Sequence, residues 1–235
     1  MKQVSRLQVY QTMLADGMLP LFFHAELSTC RHIIDALVKG GVRCVEFTNR
    51  GANALATFSE LATYCQQQHP QVILGVGSIE DSETAALFLA HGAQFVVSPT
   101  FNLDIMRLCH RRKVAHIPGC STPTEIANAE TAGAEIIKCF PANVLGPGFF
   151  KSVLAPRPWS LLMPTGGVSL EPDALARWFE AGAACVGVGG RLIQEVWLEQ
   201  DNQDNMPDNM AALCDATRHS LETIAAIRGH LRGQP

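Results

Sequence analysis

The feature that most constrains this chain is a repeated unit of a short apolar run, a turn and a helical stretch. Runs without apolar–polar alternation belong to strands buried on both faces, and helices between them make those strands pair in parallel. Eight such runs occur, at residues 19–24, 43–48, 72–74, 94–97, 114–116, 135–138, 161–163 and 184–188. Their spacing is about 20 to 28 residues. Seven helical stretches lie between them; the one after Ser121 opens with Thr122-Pro123-Thr124-Glu125, a capping-box pattern with proline in the first turn. Eight units of this length fit a closed (β/α)8 TIM barrel. An open doubly wound sheet would want a glycine fingerprint after its first strand, where this chain has Ala25-Glu26-Leu27-Ser28.

The expected fold is therefore α/β: a (β/α)8 TIM barrel with an N-terminal helix over 4–16 and a C-terminal helical extension. A single domain is expected over 1–235, with the barrel core at about 19–195, a polar loop at 199–209 and a final helix at about 210–228. Turns are expected at Gly75-Val76-Gly77-Ser78 and at Ile117-Pro118-Gly119-Cys120, and a short helix at 149–154.

Composition narrows the partners. With 47% hydrophobic and 17% charged residues the chain is core-rich, and its formal net charge of -4 sets up no general attraction for nucleic acid or anionic lipid. It carries no P-loop and no basic stripe interleaved with aromatics. No apolar run approaches the roughly 18 residues a membrane span needs. Met1 to Asp16 does not read as a signal peptide, and the eight cysteines form no CxxC pair, so a cytoplasmic protein with reduced core thiols is expected. Metal ligation is not expected, because His24, His116 and Glu46 lack any motif spacing for it.

In a barrel the C-terminal strand ends share one face, and chemistry is placed there. That face would collect His24, Glu46, Thr48, Arg50, Ser78, Pro99, His116, Lys138, Phe140, Thr165 and the Gly189-Gly190 pair. Lys138 ends an apolar run, so its amine is poorly solvated; it reads either as an imine-forming nucleophile or as a strand lysine with a buried stem. Glu46 is a carboxylate in the apolar strand Cys44-Val45-Glu46-Phe47, either a proton-transfer group or a structural partner of Arg50 or Lys138. Arg50 suits a carboxylate clamp, or is an ordinary loop arginine. The turns Thr165-Gly166-Gly167 and Gly189-Gly190-Arg191 follow the last two strands, as an anion site or simply as tight turns.

Across these strand ends the sequence resembles one family, the lysine-dependent 2-keto-3-deoxy-6-phosphogluconate (KDPG) and 4-hydroxy-2-oxoglutarate (KHG) aldolases. The resemblance rests on residues 40–48, 75–79, 92–99 and 117–126, on Ile137-Lys138-Cys139-Phe140-Pro141-Ala142 and on Pro164-Thr165-Gly166-Gly167-Val168, in the family's order. It implies that Lys138 forms a Schiff base with pyruvate and that Glu46 moves protons. It also implies that Arg50 and Thr165 contact the substrate carboxylate, and that Ser78, Pro99 and Phe140 line the pocket. Gly166, Gly167, Gly189 and Gly190 would receive a phosphate, with Arg191 adding charge. The family resemblance further implies a homotrimer without metal or cofactor. The chain departs from the family pattern at Ser78, at Phe22-Phe23-His24, at Gly146-Pro147-Gly148 and at Arg191. The expected activity is cleavage of a 2-keto-3-deoxy-6-phospho sugar acid. Its alternatives are KHG cleavage, a phosphosugar epimerase using Glu46 without covalent chemistry, and a catalytically silent phosphosugar-binding barrel.

Overall fold

The structure is a computed structural model that describes residues 4–194 and 206–233. It opens with helix α1 (Arg6–Asp16), capped by the Ser5 hydroxyl, which accepts from the Gln8 N–H at 3.2 Å. Gly17 ends it in the left-handed region (φ 71°) and returns its N–H to the Met13 carbonyl. The alternation then runs β1 (Met18–Phe22), α2 (Leu27–Lys39), β2 (Cys44–Thr48), α3 (Ala54–Gln68), β3 (Ile73–Gly77), α4 (Ser82–Ala90) and β4 (Phe95–Val97). It continues with α5 (Leu103–Arg111), β5 (Ala115–Ile117), β6 (Gly119–Cys120), α6 (Pro123–Thr131), β7 (Ile136–Cys139) and α7 (Ala142–Leu154). Then come β8 (Leu161–Pro164), α8 (Pro172–Glu180), β9 (Val186–Val188), a π-helical turn (Gly190–Gln194) and α9 (Met206–Arg232). The capping box expected at Thr122 and Glu125 is present.

All strand pairings are parallel. They form a six-stranded sheet in the order β5-β4-β3-β2-β1-β9 and a three-stranded sheet in the order β6-β7-β8. The fold is thus α/β with a curled parallel sheet. Pro118 separates β5 from β6 and has no N–H to offer a ladder, yet its carbonyl accepts from the Lys138 N–H at 2.9 Å. At the other edge a single bridge joins Thr165 to Gly187, and the Ala184 N–H donates to the Leu162 carbonyl at 2.9 Å.

Side-chain direction alternates along each strand, and two buried clusters follow. The outer cluster packs strands against helices and includes Val45, Phe47, Val76, Val96, Ile137 and Leu162. The inner one gathers residues from near the strand starts, Leu19, Cys44, Ile73, Phe95, Ala115, Ile136 and Cys185, with Val9, Tyr10 and Met13 of α1. Helix α1 therefore covers the end where the strands begin. Each fully buried Leu, Ile or Phe contributes about 1.5–3 kcal/mol, which makes this apolar layer a firm floor for the polar end.

Several sequence expectations change. Gly75 and Gly77 lie inside β3 rather than in a turn: a Cβ on Gly75 would run into the Phe95 ring, and one on Gly77 into the Glu46 carboxylate. Gly119-Cys120 is a strand, and the helix expected at 149–154 begins at Ala142, with a break at Gly146 (φ 68°). The last helix starts at Met206, ahead of the expected 210, because Pro207 falls in its first turn, where a missing N–H costs little. It packs on α2 and α8, with Gly40 allowing close approach of Thr217. Of the polar loop expected at 199–209, residues 199–205 lie outside the described residues.

Candidate active site

Above the apolar floor the inner positions turn polar. Alternation on β2 sends Cys44, Glu46 and Thr48 inward, and alternation on β7 sends Ile136 and Lys138 inward. Glu46 is 1% and Lys138 6% exposed. Room for the Glu46 side chain comes from Gly77 on the paired strand: a Cβ there would lie 2.8 Å from Glu46 Cγ and closer still to Oε1. Among the described residues neither carboxylate oxygen of Glu46 has a hydrogen-bond partner, nor does the buried Thr165 Oγ1.

Burial dominates the electrostatics of this pair. It pushes the Glu46 carboxyl up from its ordinary value against the opposing pull of Lys138 and then Arg50. It likewise pushes the Lys138 amine down, with Glu46 opposing and Arg50 adding to the shift. Both groups are driven toward their neutral forms, an amine and a carboxylic acid, as happens when two charges lose water without gaining a close pair. A neutral amine is a nucleophile and a carboxyl with a raised pKa can both give and take a proton.

The surrounding turns hold this end in register. The ring of Phe140 centres 5.1 Å from Lys138 Nζ. The Ala142 N–H donates to the Thr165 carbonyl and the Asn143 N–H to the Gly166 carbonyl, each at 2.9 Å, which laces the turn after β7 to the turn after β8. Gly166 and Gly167 adopt φ of 95° and 75°, conformations that favour glycine. Thr165 packs against Gly187, where a Cβ would sit 3.2 Å from Thr165 Cβ. Ser78 follows β3 at φ 58°, and the Pro99 carbonyl after β4 packs on Gly119.

Arg50 stands apart from the buried pair but acts on both members electrostatically. It lines a pocket with Phe22, Phe23, His24, Thr48, Gly189 and Gly190 at the ends of β1, β2 and β9. The expected residues therefore fall into a buried group, Glu46, Lys138 and Thr165, with the exposed Phe140 ring over Lys138, and a pocket carrying Arg50, Gly189 and Gly190. Gly166 and Gly167 lie beside Phe140 and Asn143. The side chain of Arg191 lies outside the described residues. His116 does not belong to the site: its neighbours Ala115 and Ile117 point inward, and its ring faces the opposite way, with Nε2 2.9 Å from Ser98 Oγ. Gly77 and Asn143 were missed by sequence reasoning; the first is marked only by the register of β3 against β2, and nothing local marks the second.

A family model described as "Aldolase: KDPG and KHG aldolase" matches residues 9–208. The chain belongs to the KDPG and KHG aldolase family. A 2-dehydro-3-deoxy-phosphogluconate aldolase of Pseudomonas aeruginosa is 35% identical over 198 residues, covering 83% of this chain and 84% of the relative. One of the same name from Treponema pallidum is 40% identical over 137 residues, 57% of this chain; the match spans 63% of that relative's own length, under two thirds. Among solved structures, a KDPG aldolase from Legionella pneumophila, crystallised with pyruvate captured as a covalent carbinolamine intermediate, superposes with a TM-score of 0.75 at 21% identity, covering 89% of this chain and 96% of that one. Among the described residues no helix is long and apolar enough to cross a membrane, and no group of three or more His, Cys, Asp or Glu could hold a metal.

Proposed function

We propose that this protein is a class I aldolase that cleaves KDPG, or a closely related 2-keto-3-deoxy-6-phospho sugar acid, to pyruvate and glyceraldehyde 3-phosphate. The observation that carries this reading is the buried Lys138–Glu46 pair, with burial moving both groups toward neutrality at the end of the curled sheet. The family membership and the names of the relatives support it.

In this reading the neutral amine of Lys138 attacks the C2 carbonyl. The neutral Glu46 carboxyl gives its proton to the hydroxyl of the carbinolamine, which leaves as water, so that an iminium ion forms and Glu46 becomes a carboxylate able to act as a base. Removal of the C4 hydroxyl proton by Glu46, directly or through one water, lets the C3–C4 bond break. The aldehyde departs and the bonding electrons enter the iminium, leaving an enamine. Protonation at C3 by Glu46 and hydrolysis of the imine then release pyruvate and restore the lysine. Arg50 and Thr165 hold the keto-acid carboxylate and so orient C2 toward Lys138. Ser78, Pro99 and Phe140 line the pocket. Gly166, Gly167, Gly189 and Gly190 receive the phosphate, with Arg191 supplying charge, so that binding energy comes from a part of the substrate remote from the chemistry. The iminium is the electron sink, and the scheme uses no metal or cofactor.

The same proposal treats the two sheets as one closed (β/α)8 barrel, with β5 and β6 as a single strand interrupted at Pro118. The Thr165–Gly187 bridge and the Lys138-to-Pro118 bond support closure at the two seams. Residues 1–235 are taken as one domain, since Leu213 and Ile224 of α9 share the outer core. A homotrimer follows from the family resemblance, and a cytoplasmic location agrees with eight free, buried cysteines. KHG cleavage to pyruvate and glyoxylate is the second reading, favoured by the family model's inclusion of both activities. Pyruvate release from the two substrates, followed by a coupled lactate dehydrogenase assay, separates the readings: the first predicts higher kcat/KM on the phosphorylated acid. No pyruvate from either would refute both.

A further inference from the structure

The pocket beside the buried pair carries two donor-bearing side chains, Arg50 and His24. It measures about 110 Å³, and its walls include the apolar side chains of Phe22, Phe23 and Ile193. The Thr48 hydroxyl donates to the Phe22 carbonyl at 3.2 Å, so its proton is committed and its oxygen can only accept. The Gly189 carbonyl accepts from the Leu192 and Ile193 N–H groups and is taken up by the π-helical turn. Arg50 has donors only. His24 remains. Its Nδ1 accepts from the Glu26 N–H at 3.0 Å, while the Glu26 carbonyl lies farther from the same nitrogen at 3.4 Å. An accepting Nδ1 places the proton of the neutral ring on Nε2, which makes Nε2–H a donor. The backbone of the loop after β1 thus selects the tautomer of this histidine.

Two side-chain donors beside bare glycine backbone, against apolar walls that strengthen each hydrogen bond, suit an anion. Within the aldolase reading, on which this inference rests, Arg50 is occupied by the substrate carboxylate. We propose that His24 is a specificity-determining residue for the distal end of the substrate, its Nε2–H donating to the phosphate received at the Gly189–Gly190 turn. His24 in this role touches no reacting atom. It discriminates phosphorylated from unphosphorylated 2-keto acids.

The test uses His24→Ala and His24→Gln in the full chain, with KDPG and 4-hydroxy-2-oxoglutarate as substrates and borohydride trapping of pyruvate as an independent readout. Loss of a hydrogen bond to a charged group predicts a KM for KDPG raised about tenfold or more in His24→Ala, with kcat within about threefold of wild type. On 4-hydroxy-2-oxoglutarate, which has no phosphate, kcat/KM should stay within about threefold. Gln carries an amide N–H near the position of Nε2, so His24→Gln should recover part of the lost affinity for KDPG only. Pyruvate trapping should be unchanged in both variants, which also shows that they fold. Equal losses on the two substrates, or an unaltered KM for KDPG, would overturn the assignment while leaving the aldolase reading intact. A wild type that neither traps pyruvate nor cleaves KDPG would overturn both.

Discussion

Gly77→Ala isolates the contact that seats Glu46. Gly77 has ordinary extended backbone in β3, so alanine adds no conformational strain there, and the whole effect comes from one methyl group. That methyl would stand 2.8 Å from Glu46 Cγ and closer to the carboxylate, so either the strand or the side chain must give way. Overpacking of this kind costs about 1–3 kcal/mol, which lowers a urea midpoint by roughly half to one molar. Displacing the carboxyl from its place near Lys138 should also reduce kcat by about a hundredfold or more, the scale of a lost general acid–base group. The decisive comparison is a double-mutant cycle. In a Glu46→Ala background the space is empty and the added methyl should cost close to nothing, giving a coupling of about 1–3 kcal/mol by urea unfolding. Equal cost in both backgrounds would refute the claim that Gly77 exists to make room for Glu46.

Other consequences can be checked with standard measurements. Because burial lowers the Lys138 pKa, the rate of reductive trapping by pyruvate should rise through a pH below lysine's ordinary 10.5, and a midpoint at or above 10.5 would count against a desolvated amine. His116 is held near a pKa of about 3 by burial, with His110 adding to the shift, and a lowered histidine pKa contributes stability that is present above about 6.5 and lost as pH falls toward 3. Wild type should therefore lose up to about 4 kcal/mol more than His116→Gln between pH 7 and 3, and parallel stability curves would contradict this. Gly40→Ala would press a Cβ to 2.6 Å from Thr217 Cβ and 2.9 Å from the Cys214 carbonyl oxygen, so it should destabilise by about 1–3 kcal/mol. A Thr217→Ala background, which keeps that Cβ, should relieve little of the loss, and near-wild-type stability of Gly40→Ala would contradict the close approach.

Much of this site was legible because charge in an apolar strand is rare and costly. Lys138 and Glu46 stand out for that reason, and the alternation of their strands sends both inward. Glycine was harder to read. Gly75 and Gly77 carry the usual signature of a turn, yet they serve as gaps for Phe95 and Glu46, side chains 20 or more residues away in either direction. Their purpose lies in the register between β2, β3 and β4, which no local pattern displays. His116 was misplaced by a single position: in a three-residue strand, one step decides between the inner and outer faces. The early start of α9 was hidden by Asn, Asp and Pro, whose turn preference is also a helix-start preference. The pocket at Arg50 depends on Phe23 and Ile193, which lie far apart in sequence and meet only when β1 and β9 pair.

The most direct test of the central claim is to incubate the protein with pyruvate, reduce it with borohydride and map the modified peptide by mass spectrometry. The account predicts a single reduced adduct on Lys138, absent in Lys138→Ala and formed more slowly in Glu46→Gln. An unmodified Lys138, or an adduct on another lysine that survives Lys138→Ala, would contradict it.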